Sequence, residues 1–139
     1  MAKTLALAMT TFSVGDVTDV ATAIKNDVLS FNFSTPRAAF DVTGVDKSAI
    51  ERLLGLADAS ITVNVAYNPA ASASAHYVFK SILNSNLPRT TTITFSSTPA
   101  ATMTMGMLYT DYPFSRGQDG NVGIAVPGVL ADGTAPAWS

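Results

Sequence analysis

The chain has 139 residues, 47% of them hydrophobic and only 13% charged, with a formal net charge of −2. That length builds one domain, residues 1–139, with a real core, and is too short for two comfortable ones. The eight Lys and Arg are scattered singly, which argues against adhesive nucleic-acid binding, and the lack of cysteine removes disulfides and thiolate metal sites.

Period-2 alternation dominates from the start of the chain. Met1-Ala2-Lys3 ahead of an apolar run is faintly like a signal peptide. The run is short, however, and the alternation of Leu5, Leu7 and Met9 continues into Phe12 and Val14, so a first strand is expected. No run approaches the roughly 20 apolar residues that cross a bilayer. Val17 to Asn26 fits a helical turn or a strand and is read as a connection. Leu29, Phe31 and Phe33 alternate with Ser30, Asn32 and Ser34 as a strand. Thr35-Pro36-Arg37 then predicts a turn into a return strand through Phe40 and Val42. Ser48-Ala49-Ile50-Glu51 has the capping-box spacing, Ile50, Leu53 and Leu54 share a helical face, and Gly55 is a natural stop. A short helix of about two turns is expected there.

A strand follows through Ile61, Val63, Val65 and Tyr67, alternating with Thr62, Asn64 and Ala66. Ala75, Val78, Phe79 and Ile82 form one apolar stripe, predicting a longer helix over about Ser74 to Asn84, and Pro88 bars its continuation. Further strands run through Thr91-Ile93-Phe95, Met103-Met105-Met107 and Val122-Ile124-Val126, with turns at Asp119-Gly120 and Asp132-Gly133. The expected fold is mainly β: a β-sandwich or partly closed barrel with one flanking α-helix and one short helix.

Little chemistry is offered. His76 is the sole histidine, lies off its helix's apolar stripe and has Lys80 one turn away, which does nothing to orient a catalytic imidazole. A polar contact at a subunit boundary is its expected role. Asp41 with Asp46, and Asp111 with Asp119, lack calcium-loop spacing and suit turn capping. Glu51 is the single Glu, so there is no glycosidase pair, and Gly117, Gly120 and Gly123 form neither a dinucleotide fingerprint nor a P-loop. No catalytic residue, metal or cofactor is expected. The methionine stripe reads as core. Trp138, near the chain end, either folds back on its own domain or docks on a neighbour, and docking in an intersubunit groove is the expectation carried forward.

Asp41-Val42-Thr43-Gly44, then Arg52-Leu53 through Gly55-Leu56-Ala57-Asp58, then Tyr67-Asn68-Pro69 before the His76 helix, Arg89 opening a Thr-rich strand, and the ending from Leu130 to Trp138 follow one another in a recognisable order. That order, spread from about Val28 to Trp138, resembles the major tail tube proteins of long, non-contractile-tailed (siphovirus-type) bacteriophages. The resemblance implies a structural virion protein of the tail, assembled in the host cytoplasm. Homo-hexameric rings would stack into a hollow tube that conducts viral DNA without sequence-specific binding. It also implies tail tip, terminator and tape measure proteins as partners. Low surface charge suits coverage by copies of the chain, and mild acidity suits a conduit for a polyanion. The other readings are a different small virion component (tail terminator, head–tail joining or capsid decoration protein) or a monomeric ligand-binding β-barrel.

Expected lumen-lining residues come from the small polar strand faces: Ser30, Asn32, Thr62, Asn64, Thr92, Thr94, Thr102 and Thr104. Expected intersubunit contacts are Trp138, Tyr112, Phe114, Arg116 and Asp119, within the segments from Val14 to Asn26, Thr110 to Gly120 and Gly128 to Ser139.

Overall fold

The computed structural model describes residues 10–97 and 100–139; the strand expected over residues 5–9 lies outside them. In chain order the strands are β1 (Thr11–Gly15), β2 (Ala21–Ala23), β3 (Val28–Ser34), β4 (Arg37–Asp41), β5 (Arg52–Ala57) and β6 (Ser60–Val65). After the helix α1 (Ala75–Phe79) come β7 (Arg89–Ser97), β8 (Ala100–Tyr109), β9 (Ser115–Arg116), β10 (Val122–Leu130) and β11 (Ala137–Trp138). Short 3-10 turns occupy Lys25–Asp27 and Ile82–Asn84.

Nine strands form one sheet in the order β2-β1-β7-β8-β10-β6-β3, with β11 added to β8 and β9 to β10. The sheet doubles over: Phe31 of β3 meets Phe12 of β1 at 5.2 Å and Phe95 of β7 at 5.9 Å between ring centroids. The β3–β6–β10 half therefore lies over the β1–β7–β8 half as a sandwich, without closing into a barrel. Period-2 patterning explains which side faces in. Phe12, Val14, Ile61, Val63, Val65, Ile93, Ile124 and Val126 are buried, and so are Met103, Met105 and Met107, whose stripe is core. Thr91 also points inward and its hydroxyl meets the Tyr109 hydroxyl at 2.6 Å; burial pushes that phenol's pKa upward.

The flanking helix is where the stripe predicts, with Ala75, Val78 and Phe79 buried, but it is shorter. In a continuing helix the Val78 carbonyl would receive the Ile82 amide. Here that carbonyl accepts instead from the Arg89 guanidinium and from the Ser81 hydroxyl, and the chain passes into a 3-10 turn. Both helix ends are clamped by buried charges. Asp27 accepts from the Ala75 amide at 2.8 Å and from the Asn68 side chain at 2.9 Å, while Arg89 reaches the last turn and donates to Ser81 Oγ at 2.7 Å. Acid at the N-terminus and base at the C-terminus match the helix dipole. Burial is the main influence on the Arg89 guanidinium, lowering its pKa.

Three sequence expectations are corrected. First, residues 52–57 are strand β5, not helix. The Glu51 amide that a capping box would give to Ser48 is donated to Thr43 Oγ1 at 2.8 Å. A cap contributes about 1 kcal/mol and a two-turn helix is costly to nucleate. A ladder with β4, in which Phe40 faces Leu53 and its ring covers Gly55, outweighs it. Second, Pro36 does not reverse the chain. β3 pairs with β6 and β4 with β5, and Ser34↔Ser60 and Arg37↔Ala57 share one register across the break. Third, Val17 to Asn26 is more than a connection. It holds β2 and a turn in which Asp19, at φ 60, accepts from the Thr90 amide at 2.8 Å. The expected turns at Gly120 (φ 85) and Gly133 (φ 74) are present, and the first closes the β9–β10 hairpin.

Candidate assembly surfaces

The continued hairpin β3–β4/β5–β6 has an inner half inside the sandwich and an outer half, residues 37–57, that forms a separate two-stranded ribbon. No residue from 35 to 58 is buried. Its apolar side chains are exposed: Phe40 at 56%, Leu56 at 94%, and also Val42, Val45, Ile50, Leu53 and Leu54. The ribbon is nonetheless ordered from within. Thr43 is held by the Asp41 carboxylate through its amide (2.9 Å) and hydroxyl (2.6 Å), Arg37 Nε donates to the Gly55 carbonyl at 2.9 Å, and Lys47 pairs with Glu51 at 3.4 Å. The hydroxyl and amide of Thr43 hold the Asp41 carboxyl below its usual pKa. Burying about half of seven large side chains is worth roughly 5–10 kcal/mol. Sequence reasoning missed this surface by spending Leu53 and Leu54 on a helix; the usable signal was the turn-forming Asp41-Val42-Thr43-Gly44 between apolar runs.

At the opposite end of the sheet lies a second apolar surface. β6 runs from Ser60 beside the ribbon to Val65, and β10 runs back alongside it, pairing Ile124 with Val65 and Val129 with Ser60. Beyond Val65, Tyr67, His76, Tyr112 and Phe114 converge. Phe114 stands edge-on to Tyr67 at 5.3 Å and to Tyr112 at 5.6 Å, and His76 Nδ1 is 2.9 Å from the Tyr112 hydroxyl. Burial raises the Tyr112 phenol to about 12. Phe114, 50% exposed, lines an open groove of about 370 Å³ together with Asn64, Pro113, Ser115, Gly123, Ile124 and Ala125, and the half-exposed Tyr67 stands behind it. The expected contacts Tyr112 and Phe114 are thus brought together. Arg116 is exposed on β9, and Asp119 accepts from the Asn121 amide at 3.0 Å within the following turn. Tyr67 had not been singled out as a contact.

Trp138 folds back within its own chain. β11 pairs with β8, opposite Met103, and the indole lies 6.0 Å from Phe33 and 5.8 Å from Phe95, with 56% of its surface still exposed. The eight expected lumen residues fall into two groups on opposite outer faces. Ser30 and Asn32 oppose Asn64 and Thr62 on β3–β6, where Asn64 Nδ2 donates to Ser30 Oγ at 2.9 Å. Thr92 and Thr94 oppose Thr104 and Thr102 on β7–β8, with the Thr94 and Thr102 hydroxyls 3.1 Å apart.

Among the described residues no cluster of three or more His, Cys, Asp or Glu stands ready for a metal, and no helix is long and apolar enough to cross a membrane. No family model and no curated protein matches the chain. Its fold is shared with chains of phage-like particles. One, in the tail of an empty gene transfer agent (GTA) particle solved by helical refinement with C6 symmetry, superposes with a TM-score of 0.70 at 14% identity, covering 93% of this chain and 94% of that one. Another, in the virion of a native gene transfer agent particle, gives 0.65 at 13% identity over 92% and 95%. The chain shares the fold of these gene transfer agent chains, with nearly complete correspondence in length.

Proposed function

We propose that the protein is a structural subunit of a phage-type tail, forming homo-hexameric rings that stack into a hollow tube for viral DNA. The observation that carries this is the projecting β4–β5 ribbon. It is an ordered hairpin whose apolar side chains remain half or more exposed, or nearly so, among the described residues, and copies of the chain would bury them. The fold likeness to a C6-symmetric tail supports the ring, and the same likeness favours a structural over an enzymatic role.

In a ring, the sheet path ends at β2 on one side and β3 on the other, and among the described residues neither outer edge is paired. Lateral closure pairs such edges and removes a template for uncontrolled association. One of the two uncharged Ser/Thr/Asn faces lines the channel, where the absence of cations lets phosphates slide without being trapped. Trp138, Tyr112, Phe114, Arg116 and Asp119 supply contacts between subunits. Tail tip, terminator and tape measure proteins are the remaining partners, and the product is the tail of a virion, assembled in the host cytoplasm.

Negative-stain microscopy of the purified protein, with nucleating tail components added, tests this. Hollow fibres with six-fold averages are expected. A chain that stays a monodisperse monomer overturns the proposal, and single rings that never stack reassign it to a terminator or joining role.

A further inference from the structure

Besides scattered exposed residues such as Val17, Val20, Leu83 and Leu87, two apolar surfaces lie at the two ends of one sheet. The ribbon projects from the Ser60 end of β6, and the Phe114 groove opens at the Val65 end. The strand faces between them are small and polar. Because the same strands run from ribbon to groove, copies stacked in one orientation along the strand direction present the ribbon of each to the groove of the next. We infer that the groove walled by Phe114 is the socket for the β4–β5 ribbon of a second copy in the adjoining ring. This rests on the tube reading and deepens it by naming the receiving surface.

The socket suits that occupant in three ways. Its wall is stiff: Phe114 is braced edge-on by Tyr67 and Tyr112, and Tyr112 is tied to His76, so docking orders little that is not already ordered. Its polar lining is partly satisfied internally, since Asn64 Nδ2 already donates to Ser30 Oγ. An aliphatic guest such as Leu53, Leu54 or Leu56 leaves that bond in place. Charge agrees as well. Arg116, beside Ser115 of the socket, and Asp46, at the ribbon tip, are both exposed and form no salt bridge among the described residues. A ribbon-to-socket contact is heterologous and propagates without limit, as a tube requires. Ribbon-to-ribbon pairing would close after two copies and leave the socket bare.

The chain has no native cysteine, so cross-linking is clean. Leu54→Cys with Phe114→Cys in one chain, treated with a short bismaleimide after assembly, is expected to give a ladder of multimers on a denaturing gel. Each single-cysteine variant is expected to give none. In parallel, Phe114→Glu, at a half-exposed site, is expected to keep the wild-type circular dichroism and melting curve while losing stacked tubes in favour of single rings. Tubes formed equally by wild type and folded Phe114→Glu overturn the socket alone. Dimers from Leu54→Cys by itself replace it with ribbon-to-ribbon pairing. A wild-type chain that never stacks removes the tube reading and the socket together.

Discussion

One hairpin, two environments: β3–β6 and β4–β5 are successive halves of the same antiparallel pair, joined in register across Pro36, yet they use apolar residues differently. In the inner half, alternation is strict from Ser30 on, past the bulge at Leu29. Phe31, Phe33, Ile61 and Val63 face the core while Ser30, Asn32 and Thr62 face out. In the outer half, neighbours along the strand, Leu53 and Leu54, are both large, apolar and exposed. A strand pair packed on one side within its own chain needs one apolar face. A ribbon left largely uncovered by the described residues of its own chain, and apolar on both faces, is suited to burial by another molecule.

The sharpest way to break this comparison is to truncate equivalent residues in each half. Ile61→Ala is expected to cost the isolated subunit about 2–5 kcal/mol. Leu54→Ala is expected to change subunit stability by no more than about 0.5 kcal/mol and still abolish stacking. Urea denaturation and microscopy on the same preparations decide it; equal stability losses would mean that the ribbon belongs to the core.

Next in size is the helix clamp, which belongs wholly to the body. Arg89→Ala removes one of the two donors to the Val78 carbonyl and the donor to Ser81 Oγ, opens a void, and is expected to cost roughly 2–4 kcal/mol. Asp27→Ala strands the Ala75 amide and the Asn68 side chain and is expected to cost roughly 1–3 kcal/mol. Neither variant should change stacking in samples that remain folded. Loss of tubes from a fully folded Asp27→Ala chain would move the helix end into the interface.

Trp138 stands between the two regimes, half on its own Phe33 and Phe95 and half exposed. Trp138→Ala is expected to cost the subunit about 1 kcal/mol. It should also speed hydrogen exchange at the Thr102 amide, which donates to the Ser139 carbonyl just beyond β11, and weaken assembly. Unchanged exchange would show that the indole does not anchor the tail, and normal tubes would remove its contact role.

The smallest effect expected is that of pH on the ribbon turn. Asp41 has a lowered carboxyl pKa in the folded chain, so its contribution is complete above the ordinary carboxylate range and disappears as pH falls through the lowered value. Exchange protection of the Thr43 amide is expected to be constant from pH 5 to 8 and to fall in stronger acid. Asp41→Asn should remove that dependence, and a turn that loosens near neutrality would contradict it.

The sequence by itself determined the strand-rich class, the buried methionine stripe, the inward residues of α1 and the turns at Gly120 and Gly133. In each, local chemistry and burial agree: a period of two with one wet face, an apolar stripe at helical spacing, a glycine where φ is positive. Tertiary structure alone decided the rest. Residues 52–57 have nearly balanced local preferences, and the balance was tipped by pairing with residues 37–41, which no local pattern encodes. Thr35-Pro36 carries a turn signal, yet the chain continues because β6 and β5 hold both sides in one register. The far-end groove draws Asn64, Phe114, Ser115 and Ile124 from separate segments, so nothing in the sequence marks it. The same holds for the two polar faces. Eight similar residues read alike along the chain, and only the doubling of the sheet sends them to opposite sides.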